Sequence, residues 1–136
     1  MNQFITNLKN TFYRTTKQFV KFGIVGIINT IITLSIIFIL SNYYDVHYII
    51  SNAIGYIAGF INSFIMNKFW TFKSKGNVFK ESIWFIIVFL ISYGIQLIVL
   101  YYLHGILNYN ENLSQILSMI VYTVVNFLLN KFLTFR

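Results

Sequence analysis

Four uninterrupted apolar runs, roughly residues 20–40, 49–66, 83–103 and 113–129, set the terms for any fold of this chain. A helix crossing a hydrocarbon core of about 30 Å needs roughly 20 residues, and only short polar connections separate these runs. Inside lipid, each segment must satisfy its own backbone N–H and C=O groups, which favours helix for all four. The expected fold class is an all-α membrane protein with four transmembrane helices. Composition agrees, because 57% of the residues are hydrophobic and only 10% are charged, too few to cover a water-soluble surface.

Charge then orients the spans. Lys9, Arg14 and Lys17 precede the first run with Lys21 at its very start, Lys68, Lys73, Lys75 and Lys80 lie between the second and third, and Lys131 and Arg136 follow the fourth. The other two connections hold Asp45, His47, His104 and Glu111, with no Lys or Arg. Positive charge resists translocation, so both termini and the central loop are expected on the cytoplasmic side. Residues 1–17 form a separate basic segment in which Phe4, Ile5, Leu8 and Phe12 recur at helical spacing. That pattern fits a short helix on the membrane surface, and a frayed tail fits it equally. Residues 18–136 are then one four-helix transmembrane domain.

The second run closes with Asn67-Lys68-Phe69-Trp70-Thr71-Phe72-Lys73, and the fourth closes 63 positions later with Asn130-Lys131-Phe132-Leu133-Thr134-Phe135-Arg136. The same offset superposes Lys17 on Lys80, Phe22 on Phe85, Val25 on Val88, Leu34 on Leu97, Ser51 on Ser114 and Phe64 on Phe127. The chain reads as two tandem helix hairpins. Two spans per repeat give both the same orientation, so the pseudo-two-fold axis is expected along the membrane normal, as in parallel-repeat transporters.

Small and polar residues form stripes along the even-numbered spans. Ser51, Gly55, Gly59, Ser63 and Asn67 recur every four residues in the second, and Ser114, Ser118, Tyr122, Asn126 and Asn130 do so in the fourth. Asn29, Thr30 and Thr33 in the first span, with Ser92 and Gln96 in the third, add polar groups near matching depths. Gly55, Gly59 and Ser118 suit close helix packing, and hydrogen bonds from Ser, Thr, Asn and Gln hold membrane helices together at about 0.6 kcal/mol each. A path for a polar headgroup is the alternative reading of the same stripes.

At the cytoplasmic ends, Lys68 and Lys131 follow the amides Asn67 and Asn130, and Lys21 lies at the same level. Point charges beside amides can hold a lipid phosphate. Cations near helix ends also snorkel to the interface and mark orientation only. Trp70, Phe69, Phe72, Phe132 and Phe135 suit an interfacial aromatic belt.

Catalytic chemistry has little to stand on. There is no cysteine, which excludes thiolate metal sites and cysteine nucleophiles. His47 and His104 lie in different connections, and two ligands without a third make no metal site. No Gly-rich phosphate loop is present, and the basic charge reflects topology, so neither enzyme activity, a cofactor nor a nucleic-acid partner is expected. No Asp or Glu falls within the four apolar runs, so a proton-coupled exporter using an embedded carboxylate has no candidate residue.

Several of these elements together resemble the GtrA-like family of small four-span membrane proteins. They are Phe19-Val20-Lys21-Phe22-Gly23-Ile24-Val25-Gly26 followed by Asn29-Thr30; the stretch from Asn52 through Gly55 and Gly59 to Asn62; Asn67-Lys68-Phe69-Trp70-Thr71-Phe72; and Asn126 with Asn130-Lys131-Phe132. Leu133 stands where the first copy has Trp70, so the two halves are not equivalent at that position. The resemblance implies movement of a polyprenyl-phosphate-linked sugar, or of the polyprenyl phosphate carrier, across the bacterial cytoplasmic membrane for glycosylation of envelope polysaccharide or teichoic acid. Lys21, Asn67, Lys68, Asn130 and Lys131 would meet the lipid phosphate, and Asn29, Thr30, Asn52, Asn62, Ser63, Gln96 and Asn126 would form the polar seam. The partners implied are a membrane glycosyltransferase and, because four helices leave little room for a sugar-phosphate path, further copies of the chain. A non-transporting accessory subunit of such a glycosyltransferase and a small-molecule exporter are the competing classes.

Overall fold

The computed structural model describes residues 2–136, and every regular element among them is helical. Helices α1 (Asn2–Tyr43) and α2 (Tyr48–Met66) make one hairpin, and α3 (Val78–Leu100) and α4 (Glu111–Leu129) make another. The chain divides into a unit ending at Lys73 and a unit spanning Ser74–Arg136. Within the first, α1 packs on α2; within the second, α3 packs on α4. Among the described residues, four helices are long and apolar enough to cross a membrane, so the expected all-α four-span class holds.

The turns inside the two hairpins share one geometry. Asp45 and Asn108 take the left-handed conformation, with φ of 48° and 54°, which short Asx side chains tolerate better than most. The next amide reaches back six residues in each case, from Val46 N to the Leu40 carbonyl and from Tyr109 N to the Leu103 carbonyl, both at 3.0 Å. This back-bond satisfies a carbonyl that the helix end leaves open. One residue further, His47 and Asn110 cap the returning helices: His47 Nδ1 accepts from Ile49 N at 3.4 Å, and Asn110 Oδ1 accepts from Asn112 N at 2.9 Å. His47 is thus a cap, and His104 donates from Nδ1 to the Tyr109 carbonyl at 2.9 Å.

Helix boundaries differ from the apolar runs where capping overrides hydropathy. Asn77 caps α3 by accepting from Lys80 N at 3.1 Å, which starts that helix before its apolar run. Glu81 consequently lies in the first turn of α3, where its negative charge suits the helix N-terminus. It accepts a hydrogen bond from Ser74 Oγ and is only 4% exposed. A carboxylate is therefore buried at the edge of the third membrane-spanning helix, although the apolar run leaves it outside. Helix α1 is continuous through residues 2–17 and, at 42 residues, runs about 63 Å, roughly twice a hydrocarbon core.

Each hairpin has its own small core. Val25 and Val88 are fully buried. Phe22 meets Phe72 edge-on, with ring centroids 6.3 Å apart, and Phe85 meets Phe135 at 5.9 Å, both within the preferred range for aromatic pairs. In the first hairpin Gly55 and Gly59 bring α2 against α1: a Cβ at Gly55 would stand 2.9 Å from the Thr33 carbonyl oxygen and 2.7 Å from Ile37 Cγ1. The bare backbone at Gly55 also accepts from Thr33 Oγ1 at 3.2 Å. A Cβ at Gly59 would run into the Thr33 hydroxyl. Most large apolar side chains stay exposed on the isolated chain, as suits helices whose neighbour is lipid.

Candidate functional site

The duplicated closing motifs do not continue as α-helix. Asn67–Thr71 and Asn130–Thr134 are π-helical turns, closed by hydrogen bonds across five residues from Phe72 N to the Asn67 carbonyl and from Phe135 N to the Asn130 carbonyl, each 2.9 Å. Such widened turns are rare and concentrate at functional sites. Here each carries an amide, a lysine, a phenylalanine and a threonine, in that order.

Both amides are almost completely buried, Asn67 and Asn130 at 1% exposure. Asn67 Nδ2 donates to Ser63 Oγ at 3.3 Å. Asn130 Nδ2 donates to the Asn126 carbonyl at 3.0 Å and also reaches Asn126 Oδ1. The acceptor side is left open: Oδ1 of Asn67 and of Asn130, with the Oγ1 atoms of Thr71 and Thr134, are buried without a hydrogen-bond partner. Buried polar atoms are rarely left so. Gln18 Oε1, Ser92 Oγ and Ser114 Oγ are buried in the same way elsewhere in the two hairpins.

Three cations belong to the hairpin ends. Lys68 is 2% exposed, with its ammonium 5.7 Å from the Phe69 ring centre. Lys131 is half-buried between the rings of Phe127 at 6.0 Å and Phe132 at 5.8 Å. Lys21 reaches across from α1, donating to the Trp70 carbonyl at 3.2 Å and lying 4.8 Å over the Trp70 ring. A cation at a helix C-terminus meets both the open carbonyls and the negative end of the dipole. The second hairpin lacks this clasp, because the positions 63 residues after Lys21 and Trp70 are Trp84 and Leu133.

The seam residues separate into groups. Asn29 and Asn62 come together, Asn62 Nδ2 donating to Asn29 Oδ1 at 2.7 Å across the first hairpin. Ser63 and Asn126 lie directly beneath the two closing amides, and Gln96 is half-buried on α3. Ser118 is fully buried and donates to the Gln115 carbonyl at 2.9 Å. Thr30 is exposed and bonds back to the Gly26 carbonyl at 3.0 Å, and Asn52 is exposed beside the fully buried Ser51. Neither Thr30 nor Asn52 joins a polar cluster within its hairpin.

Residue-by-residue reading passed over Thr71, Thr134, Gln18 and Glu81, all buried. Their signal was present in the repeat: Thr71 and Thr134 occupy the same place in both closing motifs, and Gln18 and Glu81 are 63 positions apart. Among the described residues, no group of three His, Cys, Asp or Glu side chains is arranged to hold a metal ion.

Apolar helices paired as hairpins, with buried amides and cations gathered where the second and fourth helices end, define a multi-pass membrane protein. The chain belongs to the GtrA/DPMS transmembrane-domain family, whose model matches residues 21–135. It is 32% identical over 117 residues to the uncharacterized membrane protein YwcD of Bacillus subtilis (strain 168), covering 83% of this chain and 92% of that one. It is 30% identical over 112 residues to the uncharacterized membrane protein YngA of the same organism, covering 81% of this chain and 71% of that one.

Proposed function

We propose that this protein moves a polyprenyl-phosphate-linked sugar, or the phosphate carrier itself, across the bacterial cytoplasmic membrane for envelope glycosylation. The observation that carries this reading is repeated in each hairpin by itself: buried, unpartnered Asn67 Oδ1 and Thr71 Oγ1 in the first and Asn130 Oδ1 and Thr134 Oγ1 in the second, with Lys68 and Lys131 the residues that follow the two amides in sequence. Amide oxygens accept from hydroxyls, and an ammonium donates to phosphate oxygens. A sugar phosphate has both kinds of group. The isoprenoid tail would stay in lipid against the exposed apolar faces while the headgroup follows the polar stripes. In this reading the cationic ends face the cytoplasm, as the distribution of Lys and Arg favours, and the hairpins act as parallel repeats. Further copies or a membrane glycosyltransferase would complete the path.

The test is leaflet exchange of a labelled polyprenyl-phosphate sugar in liposomes holding the purified protein. Transfer well above protein-free liposomes is expected, and transfer equal to them would favour the accessory role instead. Lys68→Gln with Lys131→Gln should abolish retention of polyprenyl phosphate in native mass spectra while leaving insertion intact, because Lys9, Arg14, Lys73, Lys75 and Lys80 still enforce orientation. Undiminished retention would reduce these lysines to interfacial anchors.

A further inference from the structure

The first turns of α1 lie outside the residues matched by the family. Within the continuous helix most of their large apolar side chains share one face, with Tyr13 the exception. At 100° per residue, Phe4, Ile5, Leu8, Phe12 and Phe19 fall within one arc of about 100°, and Lys9, Arg14 and Lys17 fall outside it. Most of this arc is exposed: Phe4 and Phe12 are 67% and 76% exposed, and Ile5 and Leu8 are exposed as well. No acidic residue occurs before Asp45.

We propose that residues 2–17 are a lipid-recognition element that lies on the cytoplasmic leaflet and reads its anionic headgroups. The occupant follows from charge. A second copy of the helix would bring three more cations and no carboxylate to answer them, whereas an anionic leaflet accepts the aromatic arc and pairs with the cations. The bend this requires has a place. Thr15 Oγ1 bonds back to the Thr11 carbonyl at 2.9 Å and Thr16 Oγ1 to the Phe12 carbonyl at 3.0 Å, a sharing of acceptors that weakens and bends helices. Just beyond, Lys21 holds α1 to the Trp70 carbonyl. The helix is unbroken across Thr15–Thr16 and anchored just beyond them, and the bend is assigned to those two residues. Left straight, its roughly 63 Å would carry the aromatic arc into water.

The inference is independent of lipid transport and can fail without touching it. The chain has no cysteine, so Leu8→Cys and Asn10→Cys, on opposite faces, each accept a single spin label in the full-length protein. Reconstituted in bilayer discs of phosphatidylcholine with phosphatidylglycerol, the label at position 8 should collide preferentially with oxygen and the label at position 10 with a water-soluble nickel chelate. Reversing Lys9, Arg14 and Lys17 to Glu, or omitting phosphatidylglycerol, should remove that contrast, with the bound population falling roughly fivefold or more per cation lost. Equal nickel access at both positions in anionic discs would show a rod standing in water. Shielding of position 8 from both reagents would mean that protein covers it. A contrast insensitive to charge would show that headgroups are not read. Each of these three results overturns the proposal.

Discussion

Gly55→Ala isolates the close approach of α1 and α2. The added Cβ would lie 2.7 Å from Ile37 Cγ1 and 2.9 Å from the Thr33 carbonyl oxygen, and a backbone oxygen cannot swing aside as the end of a long side chain can. Overpacking of this kind costs about 1–3 kcal/mol. Against it stands the gain of replacing a helical glycine, about 0.5–1 kcal/mol. Gly23 provides the reference, because a Cβ there has nothing within 4 Å and Gly23→Ala should collect the same gain with no clash. The backbone term cancels between the two variants, leaving a difference of about 1–3 kcal/mol in favour of Gly23→Ala. Unfolding of the full chain in bicelles, followed by steric trapping or denaturing-detergent titration, measures it. If Gly55→Ala proves as stable as Gly23→Ala, the hairpin is not packed through Gly55, and the alanine reports only helix propensity.

Two other substitutions follow from the first hairpin. Asn62→Leu should lower stability by about 0.6–1.7 kcal/mol, and adding Asn29→Leu should recover part of the loss, since the second change removes a stranded, half-buried amide; a double-mutant cycle giving no coupling would contradict the amide pair. In a Trp84→Phe background, which leaves Trp70 as the sole tryptophan, Lys21→Met should cost about 0.5–1 kcal/mol and make Trp70 more accessible to acrylamide, while Lys21→Arg should leave both nearly unchanged. Identical quenching of Lys21→Met and the parent would mean that the clasp does not hold Trp70.

Much of this architecture can be read before any coordinates. The lengths of the apolar runs suffice for four helices, and the recurrence of Asn-Lys-Phe points to both hairpin ends. What escapes is set by local hydrogen bonding. Asn77, by capping, moves the start of α3 far enough to take in Glu81, which no hydropathy average registers. The π-helical closure at Asn67 and Asn130 depends on which backbone carbonyl an amide selects, and no side-chain periodicity records that choice. Four-residue spacing places Ser51 and Gly55 on the packed face correctly, yet Asn52, one position away, turns outward, because a helix separates neighbours by about 100°. Pairing of Asn29 with Asn62 needs the depth at which α1 and α2 cross, which Gly55 and Gly59 determine.

At the two widened turns that close the repeated motifs, residue count becomes a constraint in its own right. Closure on the fifth residue instead of the fourth stores one extra position in the backbone, and Phe72 and Phe135 reach Phe22 and Phe85 only from beyond that position. Loss of a single amino acid there would let the ladder regularise while swinging each terminal ring away from its mate. These segments are therefore measured to the residue, and a change in their length should disturb the ring pairs even where every side chain is kept.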